Sequence, residues 1–536
     1  MDGLFYYVRR NFMDKRFKSF SLFVLLILIF GSLLFTTGCG ETKKVMGLIV
    51  EVFNREIPGL KVDDCFQTDY IKACVKEAHN IDVEFIPVPR SQEVEKLNIL
   101  MAAGDAPDLS FTYNVATISN YIKSGGLTDL GPALDKYGKN IKKYLGDEVL
   151  QYGVWNGVQY AIPAIRPATA AFSGFIRKDW LDALGLAIPK TTEEFYQVLK
   201  AFKEKMAGKT IGKVIPFAIN LDENNIDWTS HTLVWSFVQD MPEEEFASKF
   251  GQGRWVLPGY KEGIRFLNKL YNEGLLYQDF ALDRTGKQYE KEVIQGNIGS
   301  FINNFDQPYR QSPGWVFELM KNIPYAEIVP FDPFENYEGK HVKMRYSPNG
   351  LLMIVPTFAS DKADAAIKYM DWMVSDPTII KTLQNGELGK HYLVENEDGI
   401  PIQKIPNEDL SNELKIHWHD FSIMVTGSFE YGSQMLNAKA QAMSYPGFED
   451  YIIRAVEIAY TDAFIAPRFD TVIESEAKYT STLNAKGAEI FVKSIMGKPE
   501  DFDATYDSLV KEYLEMGGQQ IIDEKLAAYK AMKAAT

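Results

Sequence analysis

Apolar positions along this chain recur with a period of two in some blocks and 3.6 in others, and the alternation of the two periods outlines the fold. Val45 to Ile57 is apolar enough for a first strand, and Asp63 to Asn80 (DDCFQTDYIKACVKEAHN) has helical periodicity. Ile81 to Val88 alternates as a strand with one wet face. Ser91 is placed to cap a helix running through Met101 and ending at Gly104, and a third strand follows from Ala106 to Phe111. Strand, helix, strand, helix, strand implies right-handed crossovers and a parallel sheet. Ligands of such sheets collect at the carboxyl ends of the strands, which places Thr112, Tyr113 and Asn114 on the ligand side.

The middle of the chain, Val154 to Lys203, carries the sharpest local signals. In VWNGVQYAIP, Asn156-Gly157 is a two-residue turn that wants positive φ between aromatic and branched flanks, so it predicts a hairpin. Pro163 and Pro167 stop any helix and keep the chain extended. SGFIR then reads as a strand and KDWLDALGL as a short helix closed near Gly185. A second helix opens after Pro189, with Thr191 or Thr192 as N-cap and Glu193 and Glu194 in its first turn.

A second α/β block follows. Lys213 to Ile219 is a strand, and Trp228 to Gln239 reads as helical, with Trp228 and Trp235 seven residues apart. A stripe of that spacing serves core more often than cleft. Lys291 to Asn304 (KEVIQGNIGSFINN) predicts a helix, a glycine turn and a strand ending in Asn303 and Asn304, whose amides suit paired hydroxyls. Lys362 to Val374 is a further helix, ended before Pro377.

Composition narrows the classes. At 536 residues, 46% hydrophobic and 13% aromatic, the chain is globular and too long for one ordinary core. Its net charge of −15 excludes a nucleic-acid partner held through phosphates. HExxH, GxSxG and P-loop signatures are absent from the sequence. His417-Trp418-His419 puts two imidazoles at alternating positions of an expected strand, without a visible third metal ligand. Cys65 and Cys74, nine positions apart on one helix, would sit about 13 Å apart along its axis. A disulfide needs Cα atoms within about 7 Å, so they read as two thiols, unless Cys65 precedes the helix.

The N-terminus reads as an export signal. Arg9, Arg10, Lys15, Arg16 and Lys18 precede an uncharged run from Ser19 to Gly40 that ends in Thr36-Thr37-Gly38-Cys39. The run is also long enough to span a bilayer, but a Gly-Cys end is what a lipoprotein signal requires. Met13 is the better placed start. Loss of residues 1–38 would leave a mature part at about −18.

Several segments resemble the extracellular solute-binding proteins of bacterial ABC importers. Gly104-Asp105-Ala106-Pro107-Asp108-Leu109 is similar to that family's "aGdaPDl" signature, the hairpin to its "dGkvYaiP" segment, and the following residues to "YRKDWLdkLGLkvPkTwdEf". Lys291–Asn304, the 362–374 helix, Asn385–Tyr392 with Asp398–Pro401, and the closing segment from Phe464 match further family elements in order. Thr-Thr-Gly-Cys39 resembles a lipobox, with Thr36 where an aliphatic residue is usual. The members it resembles most are the long Gram-positive lipoproteins, whose ligands are usually sugars or oligosaccharides.

The resemblance implies an α/β, two-lobe, periplasmic-binding-protein-like fold of type II. It implies a signal over 1–38, a tether over 39–44, one lobe from 45–163 with about 349–430, and a second from 164–348 with about 431–536. The implied function is capture of a sugar in the cleft and delivery to ABC permease subunits, without catalysis or cofactor. The chain would be a monomer on the outer face of the membrane, held by lipid on Cys39. Lobe-facing strand ends and crossing segments nominate Tyr113, Arg166, Trp228, Trp235, Asn303, Asn349 and Arg468 as ligand-binding residues, while Arg177 and Trp180 read as structural. The family's acidic calcium loop is replaced by Lys205–Lys213, with three lysines and no acid, so no metal is carried over. The alternatives are an extracellular carbohydrate-active enzyme and a sensing or adhesion lipoprotein of the same fold.

Overall fold

A computed structural model describes residues 45–536 except 56–60, 207, 209–211, 223–224, 311–313, 418, 443–446 and 536. The chain separates by its contacts at Met46/Gly47, and the cores and cavity belong to the body from Gly47 to Thr536. Cys39, the apolar leader and the tether lie outside the described residues. No helix among the described residues is long and apolar enough to cross a membrane.

The first half builds one sheet system. β1 (Met46–Asn54) lies beside β2 (Ile81–Pro89), joined through the helix Phe66–His79. Leu109 runs parallel to Val50, with the Glu51 amide on the Leu109 carbonyl at 2.9 Å. The Asp108 carboxylate accepts the Ile49 amide at 2.8 Å, so the acid of the Pro-Asp motif fastens the two strands. Leu109 leads into β3 (Ser110–Thr112). The helix begins later than expected: Arg90–Gln92 forms a 3₁₀ turn, Gln92 takes the N-cap position, and the helix spans Glu93–Ala103, closed by Gly104 at φ 74°. Cys65 is the residue before the first helix, and both Cys65 and Cys74 are free thiols.

The middle follows its local chemistry. β4 (Val154–Trp155) and β5 (Val158–Gln159) pair antiparallel around Asn156 and Gly157, both at positive φ (52° and 76°). β6 (Ile162–Ile165) and β7 (Phe172–Arg177) are separated by the extended crossing. Gly185 closes the helix Lys178–Leu184 at φ 66°, and Thr191 caps Thr192–Lys205 by accepting the Glu194 amide at 3.1 Å. β8 (Ile215–Ala218), β9 (Ile298–Asn304) and β10 (Ile328–Phe331) complete a four-stranded sheet in the order β10-β7-β9-β8, whose only parallel pair is β8 with β9.

After β11 (Lys343–Arg345) the chain returns as β12 (Asn349–Ile354), which inserts between β3 and β6, antiparallel to both. The expected all-parallel first sheet is therefore mixed, because the returning strand enters from the opposite end. One large core joins Ala170–Phe334 to the closing helices through Ile521, and a separate small core gathers Leu97, Ile118, Trp155 and Leu352. In the large core Arg177 is buried, bidentate to Asp179 at 2.6 and 2.7 Å and over the Trp180 ring.

Candidate functional site

The two crossings run side by side and are laced by backbone hydrogen bonds. The Arg166 amide donates to the Pro348 carbonyl (2.7 Å) and the Tyr346 amide to the Thr169 carbonyl (2.8 Å). A third segment joins them: Ile165 donates to Met424 at 3.0 Å, and Thr426 to Ile165 at 2.8 Å. Above these crossings opens a cavity of about 860 Å³, walled by the strand ends of the first sheet, the 3₁₀ turn at Trp228, the Gly251–Gln252 turn and the closing segment after Ala466.

Five of the seven nominated residues line it: Tyr113, Arg166, Trp228, Asn349 and Arg468. Tyr113 follows β3, as the strand-end rule predicts, with the Arg90 and Arg166 guanidiniums 5.0 and 6.0 Å from its ring centroid. Burial raises its phenol above the ordinary tyrosine range, and the two arginines oppose that rise. Thr112 is buried in the strand, and Asn114 caps the helix Val115–Lys123 by accepting the Thr117 amide. Arg166 is held by its Nε on the Asn349 carbonyl (3.2 Å) and lies 4.5 Å from the Tyr346 ring centroid. Trp228 sits edge-on to Phe172 at 4.5 Å and tilted to Tyr346 at 6.3 Å.

Arg468 is positioned by the hairpin. It donates to the carbonyls of Gln151 and Val154, and desolvation lowers its pKa from the ordinary value. The turn grips the same segment from the other side: the Asn156 amide donates to the Asp470 carbonyl (2.8 Å), and the Thr471 hydroxyl donates to Asn156 Oδ1 (2.7 Å). Phe469 beside it also lines the cavity.

Trp235 and Asn303 do not line the cavity. Trp235 is 2% exposed, with its indole N–H on the Asp227 carboxylate at 2.9 Å. Asp227 also receives Arg254 at 2.6 Å and the Tyr260 hydroxyl at 3.2 Å. Burial pushes this carboxyl up, but Arg254, His231 and Trp235 together hold it well below the usual carboxylate range. The seven-residue stripe misleads because the chain changes from a 3₁₀ turn (Trp228–Ser230) to an α-helix (His231–Trp235), so the two rings do not share a face. Asn303 pairs with Ser173 inside the sheet, and its Oδ1 turns back to the Asn304 amide. Strand alternation turns Asn304 to the other side, where it accepts the hydroxyl of the cavity residue Tyr346 at 2.8 Å.

Sequence reasoning missed Arg90, Tyr346, Tyr152, Glu476 and Lys525, all of which line the cavity. Arg90 follows β2 directly, so the rule that found Tyr113 would have found it. Tyr346 lies three residues before Asn349 on the same crossing. Nothing local marks Glu476 or Lys525, which meet at 2.7 Å from two separate closing helices. His417 and His419 do not share a strand: His417 is buried in irregular chain 3.6 Å from Asp420, and His419 begins a 3₁₀ turn. No cluster of three metal-ligating side chains exists among the described residues.

A cleft crossed by laced strands and walled by aromatic and hydrogen-bonding side chains defines a class of ligand-capturing proteins. The chain matches the bacterial extracellular solute-binding protein family over residues 67–378, and it belongs to that family. Lipoprotein LipO of Bacillus subtilis is 30% identical over 324 residues, covering 58% of this chain and 61% of LipO. The polygalacturonan/rhamnogalacturonan-binding protein YtcQ of the same organism is 28% identical over 241 residues, or 43% of this chain and 45% of YtcQ. The chain thus spans about 45 to 61% of the length of these relatives. The substrate-binding protein FusA of S. pneumoniae, solved as an EF-hand mutant with fructo-nystose, superimposes with a TM-score of 0.62 at 16% identity. That alignment covers 91% of this chain and all of FusA, and the shared fold is the two-lobe α/β solute-binding fold.

Proposed function

We propose that this protein captures an oligosaccharide in the cavity above its laced crossings and delivers it, chemically unaltered, to an ABC permease. The carrying observation is the cavity itself. Its volume lies toward the upper end of the roughly 300–1,000 Å³ range of small-molecule sites, room for more than one ring. Its lining includes Tyr113, Tyr152, Trp228, Tyr346 and Phe469 together with amide and guanidinium donors. Aromatic faces stack on the apolar side of sugar rings while Arg166, Asn349 and Arg468 donate to ring substituents. The names of YtcQ and FusA, which include a polygalacturonan and a fructooligosaccharide, agree with this class.

The only carboxylate among the described lining residues is Glu476, which is ion-paired with Lys525. Glycoside hydrolysis uses two carboxyl groups across the scissile bond, so this lining favours retention over cleavage. In the same reading, 45–163 with about 349–430 forms one lobe and 164–348 with about 431–536 the other, the laced crossings acting as hinge. The chain works as a monomer outside the cytoplasmic membrane, anchored by lipid on Cys39.

The test is calorimetric titration of the protein with a panel of oligosaccharides, followed by chromatography of the released ligand. One molecule bound per chain and recovered intact is expected. Trp228→Ala should weaken that binding at least tenfold. A released product shorter than the ligand supplied would replace capture with catalysis.

A further inference from the structure

We infer that the captured saccharide is anionic, a carboxylate-bearing (uronate) oligomer, an assignment that rests on the oligosaccharide reading and narrows it. The chain as a whole is acidic, at −15, yet its cavity is basic. The ionisable lining side chains are Arg90, Arg166, Arg468 and Lys525 against Glu476 alone. Glu476 and Lys525 neutralise one another at 2.7 Å, and Arg90 has Glu93 at 3.3 Å. Arg166 and Arg468 have no carboxylate within ion-pair distance among the described residues; Asp470 acts on Arg468 from farther off, which leaves Arg166 as the uncompensated positive charge of the cavity. Of the acids that act on its tyrosines, Glu148, which acts on Tyr152, stands outside the lining, and two others are already engaged. Asp306, which acts on Tyr346, holds Arg310 at 3.1 Å, and Asp420, which acts on Tyr113, holds Arg55 at 2.6 Å.

Arg166 is the decisive group. Its Nε is fixed on the Asn349 carbonyl and its plane is set near Tyr346 and Tyr113, while its two terminal nitrogens make no hydrogen bond to any described residue. They are not sealed in the interior either, since neither is among the buried atoms lacking a partner. A guanidinium held at its inner nitrogen and open at its outer edge is a preorganised fork, and a carboxylate fits it through two parallel N–H···O bonds. A neutral hydroxyl would occupy one tine and leave the charge unmatched. Arg468 adds charge from the far wall, but its N–H groups are committed to Gln151 and Val154, so it acts through its field.

Calorimetry on the full chain in detergent tests this with paired probes. Oligomers of galacturonate, mannuronate and glucuronate, two to five residues long, are each compared with the carboxyl-reduced neutral oligomer of the same linkage. At least one acidic oligomer should bind tenfold or more tighter than its reduced partner, with an advantage that shrinks as salt is raised. Arg166→Gln should abolish the advantage, and Arg166→Lys, which keeps the charge but not the fork, should restore part of it. Equal affinity for acidic and reduced partners overturns the inference and leaves the oligosaccharide reading standing. Silence from every acidic and neutral oligomer removes both. The comparison is made first on the unaltered protein, so a variant that fails to fold does not decide it.

Discussion

Glu51 on β1 is a carboxyl where the fold has little use for a charge. It is 1% exposed; its Oε2 accepts the Phe111 amide at 3.2 Å and its Oε1 has no partner. Burial, reinforced by the nearby Glu93 and opposed by the Phe111 amide, pushes its pKa up to about 8 from 4.5. The folded state therefore favours the protonated acid. The resulting stability is complete below the unfolded pKa and is lost as pH rises from there through the folded one. Working the two titrations through gives a loss of about 2.5 kcal/mol between pH 5 and pH 7. Glu51→Gln keeps the shape and the bond to Phe111 but cannot ionise. In urea unfolding at pH 5, 6, 7 and 8, the variant should gain on the parent by roughly 1 kcal/mol at pH 5 and roughly 3 kcal/mol at pH 7. A difference that stays constant with pH would refute the reasoning, because it would mean the buried acid does not titrate between those values.

Other substitutions separate structure from ligand contact. Trp235→Ala should lower stability by about 4 kcal/mol in chemical denaturation, as loss of a buried ring does, while the folded fraction keeps its ligand affinity. Arg177→Ala strands the Asp179 carboxylate and should cost about 3 kcal/mol, again with unchanged affinity by calorimetry. At the hairpin, Asn156→Gly preserves the positive φ and removes only the Thr471 bond, whereas Asn156→Ala loses both. Thermal unfolding should rank the parent above the glycine variant and the alanine variant last, about 1 kcal/mol lower again.

Where one or two residues carry the chemistry, the sequence was readable. Asn156-Gly157 makes its turn, Gly185 closes its helix and Thr191 caps the next because each acts on its own backbone. The strand-end rule led to Tyr113 and the two crossing segments to Arg166 and Asn349, all three of which line the cavity. Reading failed where side-chain direction depends on how a segment is wound. Trp228 and Trp235 were separable only by the 3₁₀ turn between them, and Asn303 and Asn304 only by strand parity. Likewise, no local pattern announces that Lys525 will meet Glu476 beside Phe469. That meeting depends on the packing of helices distant in sequence.

The cavity wall takes its pieces from Arg90 near one end of the body to Lys525 near the other. A fragment that stops before Ala466 would lack the wall holding Arg468 and Lys525, however well its first half folds.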